Sequence, residues 1–307
     1  MVHCSDGYRA VSIVESTLQR LKSARGGEPE NRPSAAPEPP EQPAAARSRP
    51  RNPAAIRWPA QVLPVEIDLK RLEADGLRPP EHLARRMTDE FRAIRREVIG
   101  ASAEKLATTG QTVGPIAVVT SAGPGDGKSH TALNLALSIA GQGVYEVLLI
   151  DADFVKRTIS TAFGLADRPG LAELLARPEA SFLDYAYPVQ TSRLRILPAG
   201  VSAMSAHDLF AQARVATVFD AVRTTMAEHI AIVDTPPILA SSDTSVVLDC
   251  AGQVLFVVRA GNSLQDGVRE ALARIRRTLP VGVILNDWSP LLPSEKKTYR
   301  SHDEYTR

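Results

Sequence analysis

Residues 118–140 read VVTSAGPGDGKSHTALNLALSIA. An apolar run gives way to a glycine-rich loop, and a second apolar-periodic stretch opens directly behind it. At the centre stands Ala122, then four residues, then Gly127-Lys128-Ser129. That spacing between a strand and a helix is the context of a phosphate-binding loop. Gly123, Gly125 and Gly127 allow backbone N–H groups to turn inward around phosphate oxygens. Pro124, Asp126 and the exit residue His130 complete the contact set. The following helix directs its positive end at the same anion. Lys128 is placed to reach β- and γ-phosphates, and the Ser129 hydroxyl to ligate Mg²⁺. ATP with Mg²⁺ is the ligand these residue types suit.

Such a loop demands a particular scaffold, and the downstream sequence supplies it. Short continuous apolar runs occur at 116–120, 147–150, 194–197, 230–233, 254–258 and 281–285. Unbroken rather than alternating runs predict strands buried on both faces. Helical stretches at 131–141, 215–228 and 264–278 fall between them. The expected fold is α/β: a doubly wound, mostly parallel sheet of the P-loop NTPase type, with ligands at the strands' C-terminal edge.

Two of the runs end in carboxylates. VLLIDADF places Asp151 and Asp153 at the end of one strand, and HIAIVDTPP places Asp234 at the end of another. Carboxylates there can hold Mg²⁺ or its waters and accept a proton from a hydroxyl nucleophile. Asn286, after the last run, is either an adenine contact or a turn residue that ends the strand.

Upstream, residues 9–23 carry Val11, Val14, Leu18 and Leu21 on one helical face, so 1–23 is expected to be a short interaction helix. Residues 24–62 are rich in Pro, Ala, Arg and Glu and are expected to be a disordered linker. The folded domain is expected over 63–289, with a helix over 80–98 striped by Leu83, Met87, Phe91, Ile94 and Val98. Residues 290–307 read as a flexible tail bearing Tyr299 and Tyr305, whereas Tyr185 and Tyr187 are expected to pack. Lys plus Arg number 36 and Asp plus Glu 35, so no global field draws in nucleic acid. Only Cys4 and Cys250 are present, which leaves no disulfide framework and fits a reducing compartment. No apolar stretch approaches the ~20 residues of a membrane span, so a cytoplasmic protein is expected, peripheral to the inner membrane through a partner.

GPGDGKS, IDAD and VDTPP together resemble the Walker A, A′ and B motifs of bacterial tyrosine autokinases from exopolysaccharide loci. SIVESTLQRLK, DEFRAIRR, LPAG and VGVILN are similar to segments of the exosortase-associated (PEP-CTERM) branch. The resemblance implies γ-phosphoryl transfer from MgATP to tyrosines, usually on a neighbouring subunit. It implies that Lys128 stabilises the phosphates, with Ser129, Asp153 and Asp234 around Mg²⁺. Asp151 would be the base or metal-orienting group, and Tyr299 and Tyr305 the acceptors. Asp89, Arg92 and Arg95 match the family's helix motif for ring assembly, which implies a homo-oligomer. The partner implied is a membrane-embedded polysaccharide co-polymerase that determines chain length.

Three positions depart from the family pattern. Val155 stands where a basic residue commonly follows the second motif, with Lys156 and Arg157 next to it. His130 replaces a common threonine, and the tail KKTYRSHDEYTR has two tyrosines where relatives have a cluster. Two other readings share the phosphate loop. A partition-type ATPase would carry a signature lysine where Gly123 stands. A non-catalytic MgATP-binding regulator is favoured by the sparse tail and Val155, and disfavoured by intact Lys128, Ser129, Asp151, Asp153 and Asp234.

Overall fold

The computed structural model describes residues 54–80, 87–100, 116–201, 205–210 and 214–287. The expected N-terminal helix, most of the linker, Leu83, and the tail with Tyr299 and Tyr305 lie outside the described residues. The strands are β1 (Ile116–Ser121), β2 (Val147–Asp151), β3 (Tyr187–Pro188), β4 (Leu194–Leu197), β5 (Ile230–Asp234), β6 (Gln253–Arg259) and β7 (Val281–Asn286). They form one seven-stranded sheet in the order β3-β4-β2-β5-β1-β6-β7. Every pairing is parallel except β3 with β4. The antiparallel edge strand is two residues long and contains Pro188, which suits a position where one side of the backbone needs no ladder partner.

The helices are α1 (Leu69–Ala74), α2 (87–100), α3 (Lys128–Ala140), α4 (Thr158–Ala162), α5 (Leu171–Ala176), α6 (Ala206–Phe210), α7 (Arg214–Thr225), α8 (Asp243–Asp249) and α9 (Gln265–Ala273). Alternate residues of each central strand feed two separate cores. Val118, Ile150, Val233 and Phe256 face α5, α7 and α8, where Leu174, Phe219, Val222 and Val247 are buried. Val119, Leu149, Ile232 and Val257 face α3 and α2, where Leu133, Ala136, Ile139, Phe91, Ile94 and Val98 are buried. Both faces are covered, so the strands read as continuous apolar runs. Among the described residues no helix is long and apolar enough to cross a membrane.

Helix α2 buries the predicted stripe of Phe91, Ile94 and Val98. Arg95, expected at a subunit boundary, instead donates to the Ser138 carbonyl at 2.8 Å and its hydroxyl at 3.2 Å on α3. Asp89 and Arg92 pair at 2.7 Å on the exposed side of the helix. Tyr185 packs on the first core, and the Tyr187 hydroxyl donates to the Pro169 carbonyl at 3.3 Å.

The ordered unit begins earlier than residue 63. Ile56 and Trp58, expected in the linker, pack against the core. The Trp58 ring meets Phe182 edge-on at 6.3 Å, and the Arg195 guanidinium lies 4.1 Å from its centroid. The Ala54 carbonyl accepts from His229 Nε2 at 2.8 Å, while His229 Nδ1 accepts the Glu146 N–H at 3.2 Å. The segment is therefore strapped to the sheet near the start of β5. Trp58→Ala is expected to lower unfolding free energy in urea by about 2 kcal/mol, below the value for a fully buried aromatic. A change within about 0.5 kcal/mol, the scatter of ordinary surface substitutions, would place the strap outside the cooperative unit.

Candidate active site

The site lies at the C-terminal edge of β1, β2 and β5. Strand β1 ends in the loop 122–127, and α3 begins at Lys128. Gly125 and Gly127 have φ of +82° and +93°, a region that glycine enters without steric cost. A Cβ on Gly127 would also lie 2.1 Å from Asn286 Nδ2, so alanine fails there on space as well as conformation. Gly127 is the N-cap of α3 and contributes no side-chain cap. The first-turn N–H groups of a 13-residue helix are thus presented to an anion rather than consumed.

The carboxylates are brought together by strand register. Asp151 and Asp234 are direct partners on β2 and β5, and Val119 of β1 pairs with Asp234. Cross-strand partners point to the same face, here the face covered by α3. Both aspartates are 0% exposed. Neither oxygen of Asp234 has a hydrogen-bond partner among the described residues. Burial, reinforced by the charge of Asp151, pushes the Asp234 carboxyl up to about 8, against the opposing pull of the nearby Ser129 hydroxyl and Lys128. Lys128 is itself almost fully buried. Burial lowers its pKa, and the charges of Asp234 and Asp153 resist that fall.

Asp151 meets a different environment. Its Oδ2 accepts the Ser160 N–H at 2.8 Å and the Ser160 hydroxyl at 2.7 Å, and its Oδ1 accepts the Asp153 N–H at 3.3 Å. Ser160 Oγ in turn accepts the Ala199 N–H at 2.9 Å. Burial still raises the Asp151 carboxyl to about 6. The expectation that Asp151 serves as proton acceptor meets an obstacle here: Oδ2 ties β2 to α4 and, through Ser160, to residue 199, while Oδ1 accepts the Asp153 N–H. Asp153 uses Oδ1 for the N–H groups of Val155 and Lys156, at 3.2 and 2.9 Å. Its Oδ2 makes no hydrogen bond among the described residues, which leaves that oxygen available for a proton or a metal-bound water.

The departures from the family pattern also have locations. Val155 is 82% exposed. Arg157 turns toward the carbonyls of Ala166 and Gly200, at 3.3 and 3.5 Å, away from a phosphate role. Lys156 lies near enough to Lys128 to lower its pKa. His130, expected among the ligand contacts, packs its ring 6.1 Å from Phe91 of α2, and burial lowers its pKa. Asn286 donates to the Asp126 carbonyl at 2.9 Å and so braces the loop, in place of an adenine contact. Ser263 and Arg259 also touch the loop, at Asp126 Oδ1 (2.7 Å) and the Gly125 carbonyl (3.4 Å). Neither stood out in the sequence, since a serine and an arginine in a polar turn carry no periodicity or motif.

This geometry accords with known proteins. A family model described as an AAA domain matches residues 114–280. The tyrosine-protein kinase YwqD of Bacillus subtilis is 31% identical over 221 residues, which cover 71% of this chain and 88% of that protein. The chain belongs to the bacterial tyrosine-protein kinase family. The succinoglycan biosynthesis transport protein ExoP of Rhizobium meliloti is 31% identical over 220 residues, 69% of this chain but only 27% of ExoP. Among solved structures, the kinase domain of VpsO superposes with a TM-score of 0.52 at 31% identity, covering 66% of this chain and 98% of that one.

The Asp234 carboxyl yields a pH test of the ligand-free protein. Its folded pKa lies above the ordinary carboxylate value, so the folded state holds the proton more tightly than the unfolded state. The associated stability is complete only below the ordinary carboxylate pKa of 3.8 and is lost progressively as pH rises from there to about 8, by linkage. Thermal melts without nucleotide or divalent cations are expected to fall between pH 5 and 8.5, and Asp234→Asn is expected to flatten that slope. Parallel pH profiles for the two proteins would show that Asp234 ionises freely in the fold.

Proposed function

We propose that this protein is an ATP-dependent tyrosine autokinase of exopolysaccharide assembly. The observation that carries the reading is Asp234: a fully buried carboxylate without a hydrogen-bond partner among the described residues, beside Lys128 at the base of a glycine loop. Buried charge without compensation is strongly unfavourable. A divalent cation held by Ser129 and Asp234, with Asp153 beside its water shell rather than bound to it, suits that demand, and the oxygen donor set suits Mg²⁺. When bound, Mg²⁺ would neutralise charge on the β- and γ-phosphates.

The chain's own groups divide the remaining work. The N–H groups of 123–127 and the start of α3 cradle the phosphates, and Lys128 balances charge as the terminal phosphoryl departs. Asp153 Oδ2 accepts the tyrosine O–H proton as the phenolate oxygen bonds to the γ-phosphorus. The bond from that phosphorus to the β,γ-bridging oxygen breaks, and ADP leaves. Asp151 acts indirectly, holding β2, α4 and residue 199 in register so that Asp153 stays at the mouth of the site. Lys156 serves in place of the basic residue that Val155 displaces.

Tyr299 and Tyr305 are the proposed acceptors, presented by a second copy. Assembly into a ring would use the exposed Asp89–Arg92 pair of α2, since Arg95 is committed to Ser138 within the chain. An exposed pair contributes little on its own, so most of the interface energy would come from elsewhere. The name of ExoP and the segments shared with the exosortase-associated branch support a membrane-embedded chain-length determinant as activating partner, with the kinase peripheral to the inner membrane. The partition-type reading loses ground at Gly123, where its signature lysine is absent.

The experiment is phosphate mapping by mass spectrometry after incubation with MgATP. Phosphate is expected on Tyr299 or Tyr305 in the wild type, falling at least about a hundredfold in Lys128→Met, the scale on which removing one transition-state contact acts. Phosphotyrosine that persists in Lys128→Met would sink the proposal, as would ATP binding without any phosphotyrosine when the membrane partner's cytoplasmic segment is present.

A further inference from the structure

We infer that Ser263, Arg259 and Asn286 form a latch on Asp126 and Gly125 that fixes the phosphate loop in its anion-binding conformation before nucleotide arrives. The inference rests on the reading of residues 122–129 as an ATP phosphate site and extends it to positioning residues on two other strands' ends.

The loop holds three glycines within five residues, 123–127, and glycine-rich backbone loses the most entropy on ordering. Binding that also had to order the loop would be weakened accordingly. Asp126 is the least expected member: a carboxylate 2% exposed, inside a loop built for anions. Burying it requires compensating hydrogen bonds. Oδ2 accepts the Gly123 N–H at 3.2 Å and Oδ1 accepts the Ser263 hydroxyl at 2.7 Å. Ser263 Oγ also accepts the Arg259 N–H at 2.8 Å. With that lone pair occupied, the single hydroxyl proton is directed to Asp126.

Two further contacts set the orientation of the peptide planes. Asn286 Nδ2 donates to the Asp126 carbonyl at 2.9 Å, and Arg259 Nη1 points to the Gly125 carbonyl at 3.4 Å. Arg259 is steadied by Asp287, with Nε 3.1 Å from Oδ2. In a planar trans peptide the C=O and the next residue's N–H point in opposite directions. Drawing the Gly125 and Asp126 carbonyls toward the ends of β6 and β7 therefore turns the Asp126 and Gly127 N–H groups the other way, into the cradle. The latch orders the donors and does not touch the phosphates.

The test is amide hydrogen exchange over 123–127 in ligand-free protein, with ATP affinity measured separately by calorimetry. Ser263→Ala is expected to raise exchange there and to weaken ATP binding, each by about tenfold, the value of one hydrogen bond to a charged group. Ser263→Thr should restore both. Asn286→Asp, which keeps the shape but replaces the donor with an acceptor, should reproduce the loss without relying on Ser263→Ala folding. Wild-type exchange at 123–127 in both Ser263→Ala and Asn286→Asp would overturn the latch. The exchange measurement needs no nucleotide, so failure of the wild type to bind ATP would count against the phosphate-site reading and leave the latch to be judged by exchange alone.

Discussion

Asp151 and Asp234 stand side by side at the ends of paired strands, both without solvent exposure, and the rest of the site answers the charge they bring. Two carboxylates in a dry sheet interior repel each other and lose hydration, a cost of several kcal/mol per ion. The two are relieved in different ways. Asp151 is compensated from within by Ser160 and the Asp153 N–H. Asp234 has no partner in hydrogen-bond geometry among the described residues, and burial raises its pKa to about 8 against the pull of the nearby Ser129 hydroxyl and Lys128. One carboxylate therefore serves architecture, and its neighbour is the one proposed to meet a cation.

The phosphate loop is matched to that arrangement from the opposite side. Lys128 is buried beside Asp234 and Asp153; burial lowers its pKa, and the two carboxylates oppose that fall. The start of α3 adds uncapped N–H groups, and the ends of β6 and β7 hold the loop's carbonyls away from the cradle. Charge is thus laid out before the reacting groups arrive, which is the condition under which electrostatics contributes most to catalysis. Parallel topology makes this possible, since it delivers the ends of β1, β2 and β5 to one edge.

What the sequence disclosed follows from which signals are local. Strands β1, β2, β4, β5, β6 and β7 announced themselves because burial on both faces leaves unbroken apolar runs. The loop and the acidic strand ends were legible because their residue types have few other uses at that spacing. Residues 54–62 end a stretch, 24–62, whose Pro-, Ala-, Arg- and Glu-rich composition reads as linker, whereas Trp58 anchors them through Phe182 and Arg195 more than a hundred positions away. Edge strand β3 was missed because two residues carry no period. Helix α9 is shorter at its C-terminal end than its pattern suggested, stopping at Ala273. The distinction between Asp151 and Asp153 depends on Ser160, a long-range pairing that no spacing announces. Arg95 reads from its motif as a subunit contact, and Asn286 as either an adenine contact or a turn residue; each makes an internal hydrogen bond.

The central claim is that this site transfers a phosphoryl group to tyrosine and does not merely hold or hydrolyse nucleotide. Single-turnover incubation with γ-labelled MgATP, followed by partition of the label between protein and inorganic phosphate, tests it most directly. The account predicts label on tyrosine, appearing as ADP forms and in proportion to it. Label recovered only as inorganic phosphate, or only as unreacted ATP even with the cytoplasmic segment of the proposed membrane partner added, would contradict it.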